Sequence, residues 1–428
     1  MKRAKTPAIV GILLIGTVTA AGAKVFAQGG IPACATLPNP IYLEGTTAVV
    51  PVIQHLGAKL RNINVTLLWN ANGDGCTSVY HLAWQNSSQV GTVFQYYEEA
   101  DPNSPNSKIV ISTCNGTMGQ VPDLAINDTY WTSCALSYND LGTLGTLPPS
   151  FKEFVGPVQG LVPIVAGSYL YYSDIMVEEL QDLYMCGAIG KILTFSNTST
   201  IYDYNCIGSG MRELWVRGLG FANGAVLHGL VGAGCNSTLD AESMVSTVAS
   251  ATSPDTTIGY TSTEFYDENR DIIRALKVRG LNQLNAYLPD TDATSTDKIN
   301  IREGRYTIQG ALKLVAQVDP NEPSGVPVNP GAKKVIDWMQ ANPVSDPALQ
   351  LPVDINQIYA QRGVVPQCAM RVTKDSDVAV FRRYRDPMPC HCSFQMLATG
   401  KTCIPGCTAC TDSSTCPTGK ICSHGYCE

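Results

Sequence analysis

Apolar residues recur at three- and four-residue intervals along Val49, Val52, Ile53, Leu56 and Leu60, which predicts a helix over that stretch. Pro51 is tolerable there because it falls in the opening turn, where amides have no intrahelical partner. Met211, Leu214, Trp215 and Leu219 repeat the spacing and predict a second helix. Three more helices are expected at Ser173–Tyr184, Leu239–Ala251 and Gly331–Ala341. Ile63 to Trp69 alternates as a strand does, and Lys108–Ser112, Leu161–Ala166 and Thr257–Ser262 are short runs of strand type. Strands and helices taken in turn imply an α/β protein with mainly parallel sheets. The proline-rich stretch Asp319–Asn329 reads as a surface loop.

Two short turns lead directly into the first two helices. They are Glu44-Gly45-Thr46-Thr47-Ala48 and Gly208-Ser209-Gly210-Met211-Arg212. Glycine lets a ligand approach the backbone, hydroxyls add donors, and a helix N-terminus supplies free amides with a positive dipole end. Two such turns facing each other would bind an oxyanion. Either alone is equally an ordinary N-cap. Gly218-Leu219-Gly220 follows a helix rather than a strand, so it reads as a helix stop and not as a nucleotide fingerprint.

Composition narrows the picture. The 428 residues are 44% hydrophobic and 15% charged, enough for two or three cores. Residues 1–27 read as a secretory signal, with Lys2, Arg3 and Lys5 ahead of an apolar run from Ile9 to Ala23. Its removal takes four positive charges and shifts the net charge from −7 to −11. So acidic a chain, without a basic run, is not expected to bind nucleic acid or an anionic membrane.

Sixteen cysteines in an exported chain point to disulfides. Eight lie in the body (Cys34, Cys76, Cys114, Cys134, Cys186, Cys206, Cys235, Cys368) and eight in the tail (Cys390, Cys392, Cys403, Cys407, Cys410, Cys416, Cys422, Cys427). Both sets are even and could pair within themselves, with many connectivities open. The tail is too polar to fold on hydrophobicity alone. Zinc at Cys407-x-x-Cys410 is the weaker alternative, because no second such pair follows. None of the five histidines has metal-ligand spacing or a triad context. Tyr171, Tyr172, Trp215 and Trp338 are expected in the core. No cofactor, metal or catalytic residue is expected.

The order of motifs adds to this. Gly45-Thr46-Thr47-Ala48-Val49-Val50-Pro51 is followed by Gly73-Asp74-Gly75-Cys76-Thr77-Ser78, then Asp123-Leu124-Ala125-Ile126-Asn127-Asp128, then Gly156-Pro157-Val158-Gln159, Ser209-Gly210 and Ile258-Gly259-Tyr260. The succession, over roughly residues 38–390, resembles the phosphate-type periplasmic substrate-binding proteins of ABC importers. The resemblance implies a two-lobed, cluster-two (type II) binding-protein fold with a doubly wound sheet in each lobe. It implies lobe 1 at 28–160, lobe 2 at 161–256, a return to lobe 1 with an extension at 257–389, and the cysteine-rich tail at 390–428. It implies an oxyanion held by Thr46, Thr47, Gly75, Thr77, Ser78, Ser209 and Gly210, with Asp128 accepting a proton from it. A carboxylate repels a fully ionised anion and accepts a hydrogen bond from a protonated one, which favours phosphate over sulfate.

The departures are specific. Asn205 stands where the family carries arginine, and Met211 where it carries threonine. Asp74 puts a negative charge inside the second loop, and Asn127 replaces a serine. Loss of the arginine removes a charge-assisted contact of about 1.5–3 kcal/mol. Two readings follow. One is an exported, monomeric, non-enzymatic protein that captures a phosphate-like oxyanion and serves an ABC permease. The other is a fold relative without the anion site, meeting a cell-surface partner through its disulfide-bonded tail.

Overall fold

The computed structural model describes residues 31–70, 73–84, 92–104, 107–117, 119–137, 146–186, 200–203, 209–221, 227, 230–231, 241–322, 324–342, 350–351 and 353–428. The expected signal segment, Asn205, Cys206, Gly208 and Cys235 lie outside these, as does the side chain of Cys186.

The strands in chain order are β1 (Pro40–Gly45), β2 (Thr66–Asn70), β3 (Val93–Glu99), β4 (Ile109–Asn115), β5 (Leu124–Asn127), β6 (Phe151–Ala166), β7 (Asp174–Met176), β8 (Thr200–Asp203), β9 (Leu230–Val231), β10 (Thr257–Ser262), β11 (Ile273–Ala275), β12 (Lys277–Arg279) and β13 (Gln309–Gln317). The helices used below are α1 (Val50–Arg61), α2 (Gly75–Ala83), α3 (Trp131–Ser137), α4 (Val177–Cys186), α5 (Gly210–Gly218), α6 (Ala241–Ala249) and α7 (Thr263–Glu268).

One mixed sheet runs through the molecule in the order β4-β3-β2-β1-β5-β13-β6-β10-β8-β9, with β11 also on β6. Its first half places β1 between two parallel neighbours, β2 and β5. Its second half repeats the plan, with β8 parallel to both β9 and β10. Strand β6 belongs to both halves. Phe151 to Gly160 pairs with β13, and Leu161 to Ala166 pairs with β10 and β11. The protein is thus α/β with two doubly wound halves sharing one crossing strand. The sheet is mixed rather than mainly parallel, because β13, β6 and the β3–β4 hairpin all run antiparallel to their neighbours. Strands β10 and β11 both pair with the second part of β6.

Burial explains the helices. Val52, Ile53, Leu56 and Leu60 of α1 are fully buried, each stabilising by roughly 1.5–3 kcal/mol relative to exposure. In the second half Trp215 stacks on Tyr260 with ring centres 4.2 Å apart, and Tyr184 meets both rings edge-on. Trp338 is buried as expected, but Tyr171 and Tyr172 are 66% and 41% exposed and belong to no core. The helix predicted from Ser173 begins only at Val177, because Asp174–Met176 is held as a strand against Lys277–Arg279. The pattern 210–218 ends at Gly218, with Gly220 in the left-handed region at φ +83°, a position suited to glycine.

The tail corrects two expectations. Its first turn is not held by cross-links alone. Helix His391–Thr399 buries Phe394, and Arg302 bonds the carbonyls of Ala369 and His391 at 3.2 and 3.0 Å while lying over the Phe394 ring. The cysteines also do not sort into two closed sets, because Cys368 of the body pairs with Cys390 of the tail. The body further has Cys34–Cys114 and Cys76–Cys134, and the tail has Cys392–Cys407, Cys410–Cys422 and Cys416–Cys427. Cys403 is unpaired and exposed. Cys407 and Cys410 enter different disulfides, so the zinc alternative has no thiolates to draw on. Among the described residues no helix is long and apolar enough to cross a membrane.

Candidate functional site

The sheet order diverges at β1 in the first half and at β8 in the second, and ligands of doubly wound folds sit beyond the carboxyl ends of strands at such points. At the end of β1 a Cβ on Gly45 would lie 2.3 Å from the Ile126 carbonyl, so only glycine lets β1 and β5 finish side by side. The Thr46 amide then donates to Ile126 O at 2.9 Å. The buried Thr46 hydroxyl caps the turn Thr47–Val49, accepting from the Ala48 amide at 3.3 Å. Thr47 is half-buried beside it.

The second loop has a different economy from the one expected. Asp74 is the N-cap of α2 and accepts from the Thr77 amide at 2.9 Å. The Ser78 hydroxyl donates to Gly75 O at 2.7 Å, so it serves its own helix turn rather than the cleft. Burial pushes the Asp74 carboxyl up to about 6, the Thr77 bonds hold it down, and Glu44 adds to the rise. Gly73 is needed for Glu44: a Cβ there would lie 2.2 Å from the Glu44 side chain. Glu44 in turn bonds His81 Nδ1 at 2.7 Å inside the first half. This buried pair went unseen in the sequence. Its only signal was an acidic residue closing the otherwise apolar strand β1.

On the facing half, Ser209 caps α5 and accepts from the Arg212 amide at 3.3 Å. Arg212 does not replace the missing arginine. Its guanidinium bonds Asp203 at 3.2 Å and lies 3.5 Å from Glu213, and Asp203 also accepts from the Tyr260 hydroxyl at 2.7 Å.

The N-termini of α2 and α5 meet. A Cβ on Gly75 would lie 3.3 Å from Gly210 Cα, and a Cβ on either glycine would collide with Asn127 Oδ1, at 2.3 and 2.4 Å. Two acceptors from the end of β5 lie between these helix ends. Asn127 Oδ1 accepts from the Asp128 amide at 3.0 Å, while its amide group donates to Thr129 O at 2.9 Å. Asp128 is fully buried and accepts from Gln159 at Oδ1; among the described residues its Oδ2 has no partner in full hydrogen-bond geometry, and the Thr46 hydroxyl is the donor beside the carboxyl. Asp128 Oδ2 lies 2.6 Å from where a Gly210 Cβ would be. Burial pushes the Asp128 carboxyl up to about 7, with the Thr46 hydroxyl and the Gln159 amide pulling it back and Asp74 raising it further.

Gln159 sits just before the point where β6 changes partners. Its Oε1 and Glu264 Oε1 are buried without a partner in full hydrogen-bond geometry among the described residues, and the Ser262 hydroxyl lies against the Glu264 carboxyl and favours its charged form. Burial holds Glu264 well above the usual carboxylate range, and the Asp128 charge adds to it. The structure therefore brings Thr46, Gly75, Gly210 and Asp128 to one junction and places Thr47, Thr77 and Ser209 around its rim. Ser78 is turned into helix α2. The Cys76–Cys134 disulfide ties α2 to α3 immediately behind the junction. The sequence named Gln159 only within a motif and did not single out Glu264. For Gln159 the available signal was a polar residue in an otherwise apolar strand; for Glu264 it was an acid directly after the apolar strand β10.

Helix geometry leaves the amides of Gly75, Cys76, Gly210 and Met211 without intrahelical partners. They and the Thr46 hydroxyl are the donors that this junction offers. The Asp128 carboxyl, pushed up to about 7 by burial, stands beside them.

No protein-family model matches the chain, and no curated protein matches it. Solved structures do. A Clostridium perfringens substrate-binding protein with bound phosphate is 14% identical, with 77% of this chain and 99% of that one covered and a TM-score of 0.47. An ABC-type phosphate transport receptor from Vibrio cholerae is 14% identical, covering 65% and 87%, with a TM-score of 0.38. PstS from Borrelia burgdorferi is 14% identical, covering 77% and 98%, with a TM-score of 0.36.

Proposed function

We propose that this chain is an exported solute-binding protein that takes a small, protonated, phosphate-like oxyanion between its two halves and delivers it to an ABC permease. One observation carries the reading: the Asp128 carboxyl, buried between the N-termini of α2 and α5, its Oδ2 without a partner in full hydrogen-bond geometry among the described residues. Without a guest, Asn127 Oδ1 and Asp128 lie where an anion's oxygens would sit, and the helix ends close on them. With the halves apart, an anion replaces those acceptors at the amides of Gly75, Cys76, Gly210 and Met211. Asp128, as carboxylate, then accepts the proton of the guest's hydroxyl. A fully ionised sulfate has no such proton and meets repulsion.

A second reading has its own support. Asn205 and Met211 stand where the resembled family carries arginine and threonine, as in a relative that has given up the anion and works through its tail. Melting curves of the oxidised chain with phosphate, arsenate, sulfate and molybdate separate the two. A ligand at a hundred times its Kd stabilises by about 2.7 kcal/mol. Phosphate and arsenate should raise the melting temperature and sulfate should not, and Asp128→Asn should abolish that preference. No response to any of the four anions rejects the first reading and leaves the second.

A further inference from the structure

Behind the junction, on the far side of β13, two lysines point into one narrow cavity of about 30 Å³ between β13, β6 and residues 367–381. Lys313 is 1% exposed. It follows a β-bulge between Ala311 and Lys313, the kind of irregularity that re-aims a side chain. Its Nζ lies 3.6 Å from the centre of the Tyr130 ring and makes no hydrogen bond or ion pair among the described residues. Lys374 Nζ lies 4.4 Å from the Phe381 ring centre and also lacks both.

An ammonium carries three donors and no acceptor, and a ring face offsets only part of its desolvation. The nearby carboxylates are occupied elsewhere. Asp377 Oδ2 accepts from the Ser133 hydroxyl at 2.6 Å and the Tyr130 amide at 3.0 Å. Glu153 Oε1 accepts from the Trp131 amide at 2.6 Å. Neither forms an ion pair with either lysine. Burial accordingly pulls both amines down to about 8, with Asp377 opposing it at each lysine and Glu153 also at Lys313. A buried ammonium at Lys313 and a half-buried one at Lys374, both without acceptors among the described residues, are costly unless something supplies the acceptors.

We propose that this cavity binds a small aliphatic carboxylate, its oxygens between Lys313 and Lys374 and its alkyl end against Val155, Val158 and Phe381. The apolar wall suits a short hydrocarbon better than a bare inorganic ion. The volume admits only a few atoms. The site is separate from the glycine junction and does not depend on what that junction binds.

The test uses the full oxidised chain with acetate or propionate as probe and chloride as control, at constant ionic strength. Saturating carboxylate should slow reductive methylation of Lys313 and Lys374, read by mass spectrometry, and raise the melting temperature saturably. Lys374→Met, at a partly exposed position, should weaken carboxylate binding by about tenfold or more. Lys313→Met should do the same if it folds. Equal methylation with and without carboxylate, equal protection by chloride, or a Lys374→Met chain that binds acetate like the parent would each overturn the proposal.

Discussion

Helix α7 carries two buried acids, and they live in opposite circumstances. Asp267 is paired: Lys298 Nζ reaches it at 2.7 Å, and Arg270 reaches it at 2.5 Å. Both cations also hold Asp290, at 2.9 and 2.7 Å. Burial alone would push the Lys298 ammonium down, but Asp267 and Asp290 together hold it up. Three residues earlier, Glu264 faces the junction, and neither its Oε1 nor the nearby Asp128 Oδ2 has a partner in full hydrogen-bond geometry among the described residues. Paired acids are held by cations and lock the structure. Unpaired ones stay near neutrality and wait for a donor. The difference separates residues that hold the fold from residues that confront a guest.

Breaking the paired side should have the largest effect. Lys298→Met leaves Asp267 and Asp290 with one cation fewer, and stability should fall by about 3–5 kcal/mol, read as a lower urea midpoint at unchanged slope. A loss below about 1 kcal/mol would mean that the four charges do not act as a buried network.

The unpaired side should reveal itself through pH. Asp128 titrates near 7 in the folded chain and near 4 when unfolded. The folded state therefore keeps its proton longer. Stability contributed by this group is present below about 4 and is lost as pH rises toward 7. Its loss should amount to about 2–4 kcal/mol. Asp128→Asn should flatten that slope in urea titrations and make the chain more stable than its parent at pH 8. An unchanged slope would remove Asp128 from the set of perturbed acids.

The smallest effect sharpens the comparison at the contact itself. Gly210→Ala places a methyl against Asn127 Oδ1 and Asp128 Oδ2 and should cost about 1–3 kcal/mol by overpacking. Small-angle scattering should show a more open particle. A variant as compact and as stable as the parent would mean that the helix ends are not what keeps the halves together.

Much of this was readable in the sequence. The periodicities at 49–60, 211–219 and 257–262 became α1, α5 and β10, because each has one strongly apolar face. The glycine turns marked the junction because a backbone that must approach another backbone excludes side chains. What was hidden depended on distant partners. Leu161–Ala166 looked like a whole strand, since its continuation to Phe151 begins in a partly exposed stretch and draws its partner from residues 309–317. The Cys368–Cys390 link and the Glu44–His81 pair are set by the fold and by nothing local. Asp74 read as a misplaced charge because its cap role appears only once α2 starts at Gly75. The arginine gap at Asn205 lies outside the described residues, so the departure stands as the sequence gives it.

Strand β6 has one more consequence, for the order in which the protein can be made. Its residues 151–160 find their strand partner in β13, at 309–317, and Val158 bridges Val365 later still. When a ribosome has released the first 200 residues, the first half has β1 to β5 and β6 but not the strand that lies between β5 and β6. The second half, needing only β8 to β11 beside β6, can close earlier. The nascent chain should thus carry an unfinished sheet with two open edges across the span that encodes the whole second half. Open edges of this kind invite pairing with other chains, and an export pathway that keeps the chain unfolded until release would avoid the exposure.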